Sequence, residues 1–415
     1  MGKCLSFSGI YDTLFASKIQ VFFIRGHTFF LEVTMKVAVL GFGTVGQGVY
    51  EMLQHARGLE PGAVLVRPGK DDAAYKVTDI SAITGDPTVG AVVEVLGGIE
   101  PARTWVEQAL LAGKHVVTAN KALVAECGPE LAKLAREKGM AFLFSAACGG
   151  GVPFLHNLAL STQSDEILTV GGILNGTTNY MLDAMQSRGA DYAEVLKDAQ
   201  QLGYAEADPT ADVSGLDALR KIMLACAVAF EKLPAQGLYN EGIQNLTAAD
   251  VKHFQSLGYT CRLVAKGGPV ADTVFAFVEP TLVPVSAAEC AVKDNYNLAR
   301  YEAKCAGDIV LMGQGAGRFP TASAVLRDLS DVVSGQRVMM PENCARVTAD
   351  CSGCGHPYYV RLPEAFAGML SCDKITVADG VARVITKSVT VKEMHDTVAA
   401  LRDKGAQVFF AGIEE

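Results

Sequence analysis

The stretch "KVAVLGFGTVGQGVYEML", residues 36–53, constrains the fold of this chain more than any other segment. A mostly apolar run predicts a buried strand, and a G-x-G-x-x-G turn follows it directly. Apolar residues then recur at helical spacing, at Val45, Val49, Met52 and Leu53. A strand, a glycine-rich turn and a helix in this order are typical of the first unit of a dinucleotide-binding fold.

Each glycine of this turn has a different structural role. Gly41 permits the tight turn, Gly43 lets the backbone approach a pyrophosphate, and Gly46 allows the helix to pack closely on the strand. The N-terminus of the helix attracts the anion. The cofactor contacts predicted in this turn are Gly41, Phe42, Gly43, Thr44, Val45 and Gly46.

Further strands and helices alternate after this unit. "AVVEVLGG", "PARTWVEQALLAGK", "HVVTAN", "PELAKLAREKG" and "MAFLFSA" read as strand, helix, strand, helix and strand. Such alternation predicts a parallel sheet of the Rossmann type. Gly97, which follows the first of these strands, is a further predicted cofactor contact.

The loop after the second strand bears on the choice of cofactor. The strand "GAVLV" runs into "RPGK", where an acidic residue would favour NAD. Arg67 and Lys70 instead suit the 2′-phosphate of NADP, so we expect NADP, with NAD as a possible cofactor. The alternative is a solvated basic loop that binds nothing.

Composition excludes several classes of protein. The 415 residues are 50% hydrophobic, which is enough for two or three domains with large cores. A net charge of −9 argues against a nucleic-acid partner, and no apolar run approaches the roughly 20 residues that a membrane span needs. The eleven cysteines lack the spacing of a disulfide framework. We therefore expect a cytoplasmic protein that binds neither nucleic acid nor membrane.

Residues 1–34 do not fit the pattern that follows. Met35 opens a strand that needs nothing before it, and "VFFIRGHTFF" is interrupted by Arg25 and His27 without a cleavage site after it. We expect residues 1–34 to be an extension added by a misassigned translation start. A poorly ordered tail is the alternative.

The segment "GYAEADPTADVSGLDALRK", residues 203–221, gathers four carboxylates ahead of a helix. Ser214 and Asp217 fit a capping box, and a surface ion pair between Asp217 and Lys221 would also explain the spacing. The helix carries apolar residues on both sides, however, so it is predicted to be buried. Lys221 would then point into a pocket, where a partly desolvated lysine is a credible proton donor.

A polar turn follows the strand "ILTVGGIL". Small residues at a strand end, ahead of a helix near Asn179, suit a carboxylate or the backbone groups of an amino acid. A plain turn whose Asn and Thr cap the helix explains the same residues. The turn comprises Asn175, Gly176, Thr177 and Thr178.

Six segments together resemble the homoserine dehydrogenase family, over residues 35 to about 325. The resemblance implies an α/β chain with a Rossmann-type dinucleotide-binding domain and an α+β catalytic and dimerisation domain. It also implies reduction of aspartate 4-semialdehyde to homoserine, on the route to threonine, methionine and isoleucine, by a homodimer or homotetramer. The segments are "GFGTVGQGV", "TANKAL", "GGGVPF", "GGILNGTTNYML", "GYAEADPTADVSGLDALRK" and "GQGAGRFPTASAV".

The resemblance also implies roles for individual residues. Lys221 resembles the catalytic proton donor, and Lys121 resembles a second lysine near nicotinamide and substrate. Asp217 and Glu206 resemble the carboxylates that hold the hydroxyl and amino ends of the substrate. The remaining implied contacts are Gly176, Thr177 and Tyr204 with the substrate, and Gly315 with the cofactor.

One motif departs from the family. Where the family usually reads E-A-A-x-G-G-G-x-P around a monovalent cation, this chain reads "SAACGGGVP", with Ser145 in place of the glutamate. The backbone carbonyls of Cys148, Gly150 and Val152 could still coordinate sodium, but a charged ligand is missing.

The last segment, residues 357–415, reads as β, α, β, β, α, β and resembles an ACT-type regulatory domain. It is expected to hold an amino-acid effector or to serve as a structural cap. Just before it, four metal-binding residue types lie close together in the sequence, as a zinc site or a chance cluster. They are Cys344, Cys351, Cys354 and His356.

These observations predict four segments and leave two rival functions. The dinucleotide-binding domain spans 35–155 with a return over about 312–345, the catalytic and dimerisation domain spans 156–311, and the extension and ACT-like domain flank them. One rival is a thioester-forming semialdehyde dehydrogenase with Cys148 as nucleophile, for which no adjacent base is identified. The other is a non-catalytic sensor of nucleotide and amino acid, which would not need both lysines and both carboxylates.

Overall fold

The structure is a computed structural model that describes residues 20–24, 27–31, 34–69, 73 and 75–414. The chain divides into two compact units. The first comprises Met1–Ala146 and Thr321–Met339, and the second comprises Ala147–Pro320 and Met340–Glu415.

The first unit is built on a parallel sheet of six strands. Its strand order is 3-2-1-4-5-6 in chain sequence, which is the order of a doubly wound dinucleotide-binding fold. A separate antiparallel hairpin, β1 (Gln20–Ile24) and β2 (His27–Leu31), precedes it. The six strands are β3 (Met35–Leu40), β4 (Leu59–Leu65), β5 (Lys76–Val77), β6 (Val89–Glu94), β7 (His115–Thr118) and β8 (Phe142–Leu143).

Four helices connect these strands. They are α1 (Thr44–Leu53), α2 (Ser81–Thr84), α3 (Ala102–Leu111) and α4 (Lys121–Glu137). The helix that the sequence predicts from Pro129 therefore begins eight residues earlier, because Asn120 caps it and Pro129 is tolerated inside it. The last predicted strand shortens to β8, and a 3₁₀ turn over Ser145–Ala147 follows.

The second unit contains a mixed sheet of ten strands. Its order is β15-β14-β9-β12-β13-β22-β18-β20-β19, with β11 paired to β13. The first part of the unit supplies β9 (Ile167–Ile173), β10 (Lys232–Gln236), β11 (Tyr239–Asn240), β12 (Tyr259–Val270), β13 (Thr273–Pro284), β14 (Tyr296–Ala303) and β15 (Gly307–Gln314).

Helices of this part precede or follow those strands. The bounds are α5 (Phe154–Ser161), α6 (Gly176–Arg188), α7 (Tyr192–Gln201), α8 (Thr210–Val213), α9 (Leu216–Phe230), α10 (Ala248–Ser256) and α11 (Arg318–Val333). Most of α11 belongs to the first unit, where Val325 and Leu329 pack into the core with Val37 and Val39 of β3.

Helix α9 is the buried helix of the second unit. It packs against β9, β12 and β13, and α5 covers another of its sides. Ten of its fifteen residues are buried, including Asp217 and Lys221. The buried helix predicted from the apolar residues on both sides of Lys221 is thus present.

The C-terminal segment extends the same sheet. Antiparallel strands pair in the order β22-β18-β20-β19, and β22 joins β13 in parallel. A six-residue 3₁₀ helix over Glu364–Met369 replaces the first predicted helix, since "EAFAGM" is too short between Pro363 and the next strand for several α-helical turns. The elements are β16 (Ala345–Thr348), β17 (Gly355–His356), β18 (Tyr358–Pro363), β19 (Cys372–Ala378), β20 (Val381–Thr386), β21 (Val389–Thr390), α12 (Val391–Asp403) and β22 (Phe409–Ile413).

The predicted α/β class is confirmed by the parallel sheet of the first unit and the mixed sheet of the second. Among the described residues, no helix has both the length and the apolar character that crossing a membrane would require. Apart from the backbone of β1 and β2 and residue 34, the predicted N-terminal extension lies outside the described residues.

Asp328 on α11 is a buried carboxyl in the first unit. It accepts hydrogen bonds from the backbone N–H of Ser145, at 2.8 Å, and from the Ser145 hydroxyl. Burial raises the pKa of Asp328 to about 7, although the Ser145 hydrogen bonds act in the opposite direction. An unfolded aspartate has a pKa near 3.9, so the folded state holds a proton that the unfolded state has lost between about pH 4 and 7.

We predict that Asp328→Asn changes the pH dependence of stability. The wild type should lose stability as pH rises from about 4 to 7, because the folded carboxyl resists ionisation. The amide has no proton to lose, so the variant should gain on the wild type over this range, by up to about 4 kcal/mol. Melting temperatures at pH 5 and pH 8 test this, with the exposed Asp403→Asn as control. A difference between variant and wild type that stays constant with pH would contradict the prediction.

Candidate active site

The glycine turn between β3 and α1 has the geometry of a dinucleotide-binding turn. Gly41 has φ +103°, a left-handed conformation that favours glycine. A Cβ on Gly46 would lie 2.1 Å from the Gly41 carbonyl oxygen, so helix and strand approach too closely for a side chain. Gly43 is exposed, and a Cβ there would meet nothing within 4 Å. The open space beside Gly43 leaves room for a phosphate next to the N-terminus of α1.

The end of β4 carries one of the two predicted phosphate-binding cations. Arg67 is exposed just after the strand, whereas Lys70 lies outside the described residues. A further cation, Lys76 on the neighbouring β5, lies with Nζ 4.8 Å from the ring centroid of Phe42. The sequence reasoning missed Lys76, because only the pairing of β5 with β4 brings it beside the turn.

A hydrogen-bonded cluster joins the ends of β6 and β7. Glu94 is fully buried and accepts from the Thr118 hydroxyl at 2.5 Å and from the Leu96 N–H at 2.7 Å. Burial raises the pKa of Glu94 above its ordinary value, although these hydrogen bonds act to lower it. Asn120 donates to the Gly98 carbonyl at 2.6 Å and accepts from the first turn of α4. This cap makes Lys121 the first residue of α4, next to the loop that contains Gly97.

Lys221 of α9 is held by an ion pair and a backbone carbonyl. Its Nζ lies 2.8 Å from Asp217 Oδ2, one helical turn earlier, and donates to the Leu174 carbonyl at 2.6 Å. Only 7% of each residue's surface is exposed. Burial is the strongest single influence and lowers the pKa of Lys221, but the charge and hydrogen bond of Asp217, together with Cys148 and Asp212, outweigh it, so the pKa lies above the ordinary value. Lys221 is therefore a buried ammonium whose charge depends on Asp217.

Asn175 connects this pair to a second carboxylate. The Oδ1 atom of its side chain accepts a hydrogen bond from the Thr178 N–H at 2.8 Å, and this bond caps α6. Its Nδ2 donates to Asp217 Oδ2 at 2.8 Å and to Asp212 Oδ1 at 2.7 Å. Burial and the neighbouring Asp217 raise the pKa of Asp212. One side chain thus starts a helix and orients both carboxylates.

Both simple explanations of Asp217 are wrong. The residue that caps α9 is Gly215, with φ +85° and no side-chain cap, so Ser214 does not form the predicted capping box. The ion pair with Lys221 is buried rather than on the surface. The carboxylate turns toward Lys221 and Asn175 because these groups supply its hydrogen bonds inside the protein.

The loop before α8 brings fewer of its predicted substrate-binding side chains into contact with the rest of the site than the sequence predicts. The Thr177 hydroxyl donates to the Tyr204 carbonyl at 2.6 Å, which fastens this loop to the start of α6. Glu206 is exposed, and among the described contacts only its backbone carbonyl is engaged, by the Gln200 side chain at 3.2 Å. The sequence placed Asn175 in a candidate ligand-binding turn and Asp212 among four clustered carboxylates, but it gave neither residue a specific role.

The glycines of the second unit are required by close backbone packing. A Cβ on Gly176 would lie 2.6 Å from the Asn295 carbonyl oxygen. On Gly150 it would lie 2.5 Å from the Gly315 carbonyl, and on Gly315 it would lie 2.1 Å from the Asn297 side chain. Close packing therefore explains why these positions are glycine, whether or not a ligand binds there.

The cysteines support neither a nucleophile nor a zinc site. Cys148 is fully buried, and its thiol is 3.9 Å from the Lys221 carbonyl oxygen. His356 is paired with Glu279 at 2.7 Å, and the Cys351 thiol faces the Ala276 carbonyl. Among Cys344, Cys351, Cys354 and His356, all of them described, no three ligand atoms lie within 4.8 Å of one another. The structure therefore does not bring these four residues together as a set of zinc ligands, which favours the alternative of a chance cluster.

The sodium ligands inferred from the sequence are neutral. Of the three proposed carbonyls, that of Val152 accepts from the Phe154 N–H at 2.8 Å. Ser145, which stands where the family has glutamate, is bonded to Asp328. The three proposed carbonyls and Ser145 thus provide no charged ligand of their own, and the nearest carboxyl in this contact is that of Asp328.

Two family models match the chain. The homoserine dehydrogenase NAD binding domain matches residues 41–145, and the homoserine dehydrogenase domain matches residues 153–330. The homoserine dehydrogenase of Synechocystis sp. is 41% identical over 318 residues, 72% of this chain and 73% of that protein. That of Mycobacterium tuberculosis is 38% identical over 398 residues, 90% and 87% of the two chains. The crystal structure of a homoserine dehydrogenase from Thiobacillus denitrificans has a TM-score of 0.82 at 32% identity, covering 92% of this chain and 98% of that one.

Proposed function

The chain belongs to the homoserine dehydrogenase family, and from this premise we propose how its residues carry out the family's reaction. The enzyme is an oxidoreductase that reduces L-aspartate 4-semialdehyde to L-homoserine with a nicotinamide dinucleotide. The observation that carries the proposal is the buried ion pair of Lys221 and Asp217. The rival functions, a sensor and a thioester-forming dehydrogenase, are not favoured.

Lys221 is proposed to protonate the carbonyl oxygen. A nicotinamide dinucleotide, when bound, would supply the hydride for the aldehyde carbon, and the charge that develops on the carbonyl oxygen would then need an acid. The Lys221 ammonium stabilises this charge and transfers its proton, which yields the primary alcohol. Asp217 keeps the lysine charged despite its burial, because it raises the pKa of Lys221 after burial has lowered it.

The substrate's amino end is proposed to lie near the carboxylates. Asp217 and Glu206 are assigned to the hydroxyl and amino ends, and Asp212 is added because Asn175 holds it beside Asp217. Gly176 and Thr177, at the positive end of α6, suit the substrate carboxylate. Tyr204 lies in the loop that Thr177 fastens. Lys121 is proposed as the second lysine, at the first position of α4 in the dinucleotide-binding unit.

NADP is proposed as the preferred cofactor. The fit to a dinucleotide rests on the left-handed Gly41 and the open space at Gly43. The preference for the 2′-phosphate rests on the exposed Arg67 after β4 and on Lys76 beside Phe42. Predicted cofactor contacts also include Thr44, Val45, Gly97 and Gly315.

Residues 357–415 are proposed to form a regulatory domain for an amino-acid effector. The support is a cavity of about 730 Å³ that the C-terminal segment forms with the catalytic sheet. Groups of both signs line it, as the two charges of an amino acid require. They include Lys266, Glu279, Arg300, His356, Asp373 and Glu414.

A homodimer or homotetramer is proposed for the assembly. Strand β15 is an edge of the ten-stranded sheet, and its residues alternate in exposure along the strand. Val310 and Met312 are 41% and 59% exposed on this edge strand. An edge with exposed apolar side chains is a surface that proteins usually cover.

The first prediction tests the role of Lys221. Lys221→Met keeps most of the side-chain volume and removes the proton, so kcat should fall by about a hundredfold or more. Reduction of aspartate 4-semialdehyde by NADPH without phosphate measures it, and cofactor fluorescence should show unchanged NADPH binding. Lys252→Met, at an exposed position of α10, is the control. Near-normal turnover in Lys221→Met would refute the assignment, and an inactive wild type would favour the sensor.

The second prediction tests the cofactor preference. Each charge-assisted hydrogen bond to the 2′-phosphate contributes roughly 1.5 to 3 kcal/mol, so kcat/KM should favour NADPH over NADH by at least about tenfold. Arg67→Ala should reduce this ratio, whereas Arg57→Ala, also exposed in the same unit, should not. A wild type that prefers NADH, or a ratio that Arg67→Ala leaves unchanged, would show that Arg67 binds no phosphate.

A further inference from the structure

Asn297 on β14 is a buried amide without hydrogen-bond partners. Only 1% of its surface is exposed. Neither Nδ2 nor Oδ1 finds a partner in the part of the chain that the structure describes. A buried polar group left unsatisfied costs free energy, so a side chain like this is normally completed by water or by a ligand.

The Asn297 amide packs against two glycines. A Cβ on Gly315 would lie 2.1, 2.2 and 2.3 Å from Cγ, Nδ2 and Oδ1 of Asn297, so the amide lies flat against this glycine. The position of a Cβ on Gly176 is 3.4 Å from Oδ1. Gly315 therefore covers the face of the Asn297 amide, and the Oδ1 atom of Asn297 lies next to Gly176, the first residue of α6.

The N-terminus of α6 presents further groups at the same place. The thirteen-residue helix begins at Gly176, and Asn175 takes the N–H of Thr178. The first N–H groups of a helix, here those of Gly176 and Thr177, have no acceptor within the helix, and the helix dipole makes this end positive. Asn297 thus borders N–H donors that suit an anion. The Asn175 side chain links the same helix end to the Asp212 and Asp217 carboxylates, which suit a cation.

We propose that Asn297 binds the amino-acid end of the substrate. Its Nδ2 donates to the α-carboxylate, and its Oδ1 accepts from the α-ammonium group. This inference rests on the proposed function and deepens it. An amide offers a donor and an acceptor side by side, and an α-amino acid carries an acceptor and a donor on one carbon. The position next to α6 and the two aspartates favours this ligand over the carboxamide of the cofactor.

Two substitutions separate the contacts. Asn297→Asp has nearly the same shape but loses the donor and repels the carboxylate. Asn297→Leu loses both contacts and satisfies the buried site with apolar atoms. In the oxidation of L-homoserine, both should raise KM by at least about tenfold, since each loses a hydrogen bond to a charged group. The value of kcat should stay within about threefold, because neither variant touches Lys221.

A deaminated substrate identifies the acceptor contact. The molecule 4-hydroxybutanoate is L-homoserine without its ammonium group. Asn297→Leu should reduce the preference for L-homoserine over 4-hydroxybutanoate in kcat/KM, whereas the exposed Asn245→Asp should leave both substrates unchanged. The melting temperature of Asn297→Leu should not fall below that of the wild type, because an apolar side chain removes the cost of the unsatisfied amide, and its KM for NADP⁺ should match the wild type. If Asn297→Leu does not fold, Asn297→Asp still tests the donor contact with the α-carboxylate through its KM for L-homoserine.

The outcomes distinguish this inference from the proposed function. A wild type that does not oxidise L-homoserine overturns both. If the wild type is active and the variants keep its KM for L-homoserine, only the role of Asn297 is refuted. A raised KM for NADP⁺ with an unchanged KM for L-homoserine would assign the amide to the cofactor and also refute the proposal.

Discussion

The ion pair of Lys221 and Asp217 is the interaction on which the catalytic unit depends. A lysine inside a protein tends to lose its proton, because burial disfavours the charged form. The carboxylate of Asp217, one helical turn earlier, is the largest of the influences that together reverse this tendency, and the Leu174 carbonyl accepts another N–H of the ammonium. Breaking this buried pair would leave an uncompensated charge, and the hydrogen bond from Lys221 to the Leu174 carbonyl also connects α9 to the residue that follows β9.

Asn175 connects the Lys221–Asp217 pair to the N-terminus of α6 and to Asp212. As the N-cap of α6 it fixes where that helix begins, and as a donor it holds Asp212 and Asp217. Acceptors for an ammonium group, donors for a carboxylate and an acid for a carbonyl oxygen therefore come from the first turns of α6 and α9 and from the short helix α8. A flexible amino-acid aldehyde needs this arrangement, because hydride transfer requires its carbonyl to be held in one orientation.

The sequence predicted what periodicity and short motifs encode. The glycine turn after β3 and the buried helix with Lys221 are both present, because apolar spacing and glycine geometry are local properties. It did not predict the hydrogen bonds between Asn175 and carboxylates some 40 positions away, or the stacking of Asn297 on Gly315, because only the folded sheet brings these groups together. The capping box failed for a local reason, since Gly215 takes the cap position with a left-handed backbone.

The central claim is that Asp217 keeps Lys221 protonated so that it can act as the acid. The direct measurement is the pH profile of kcat/KM for aspartate semialdehyde reduction in the wild type and in Asp217→Asn. Activity should fall at alkaline pH as Lys221 loses its proton. In the variant, burial is no longer offset by the carboxylate, so the pKa of Lys221 should drop and the alkaline limb should move to lower pH. An alkaline limb at the same pH in both proteins would contradict the account.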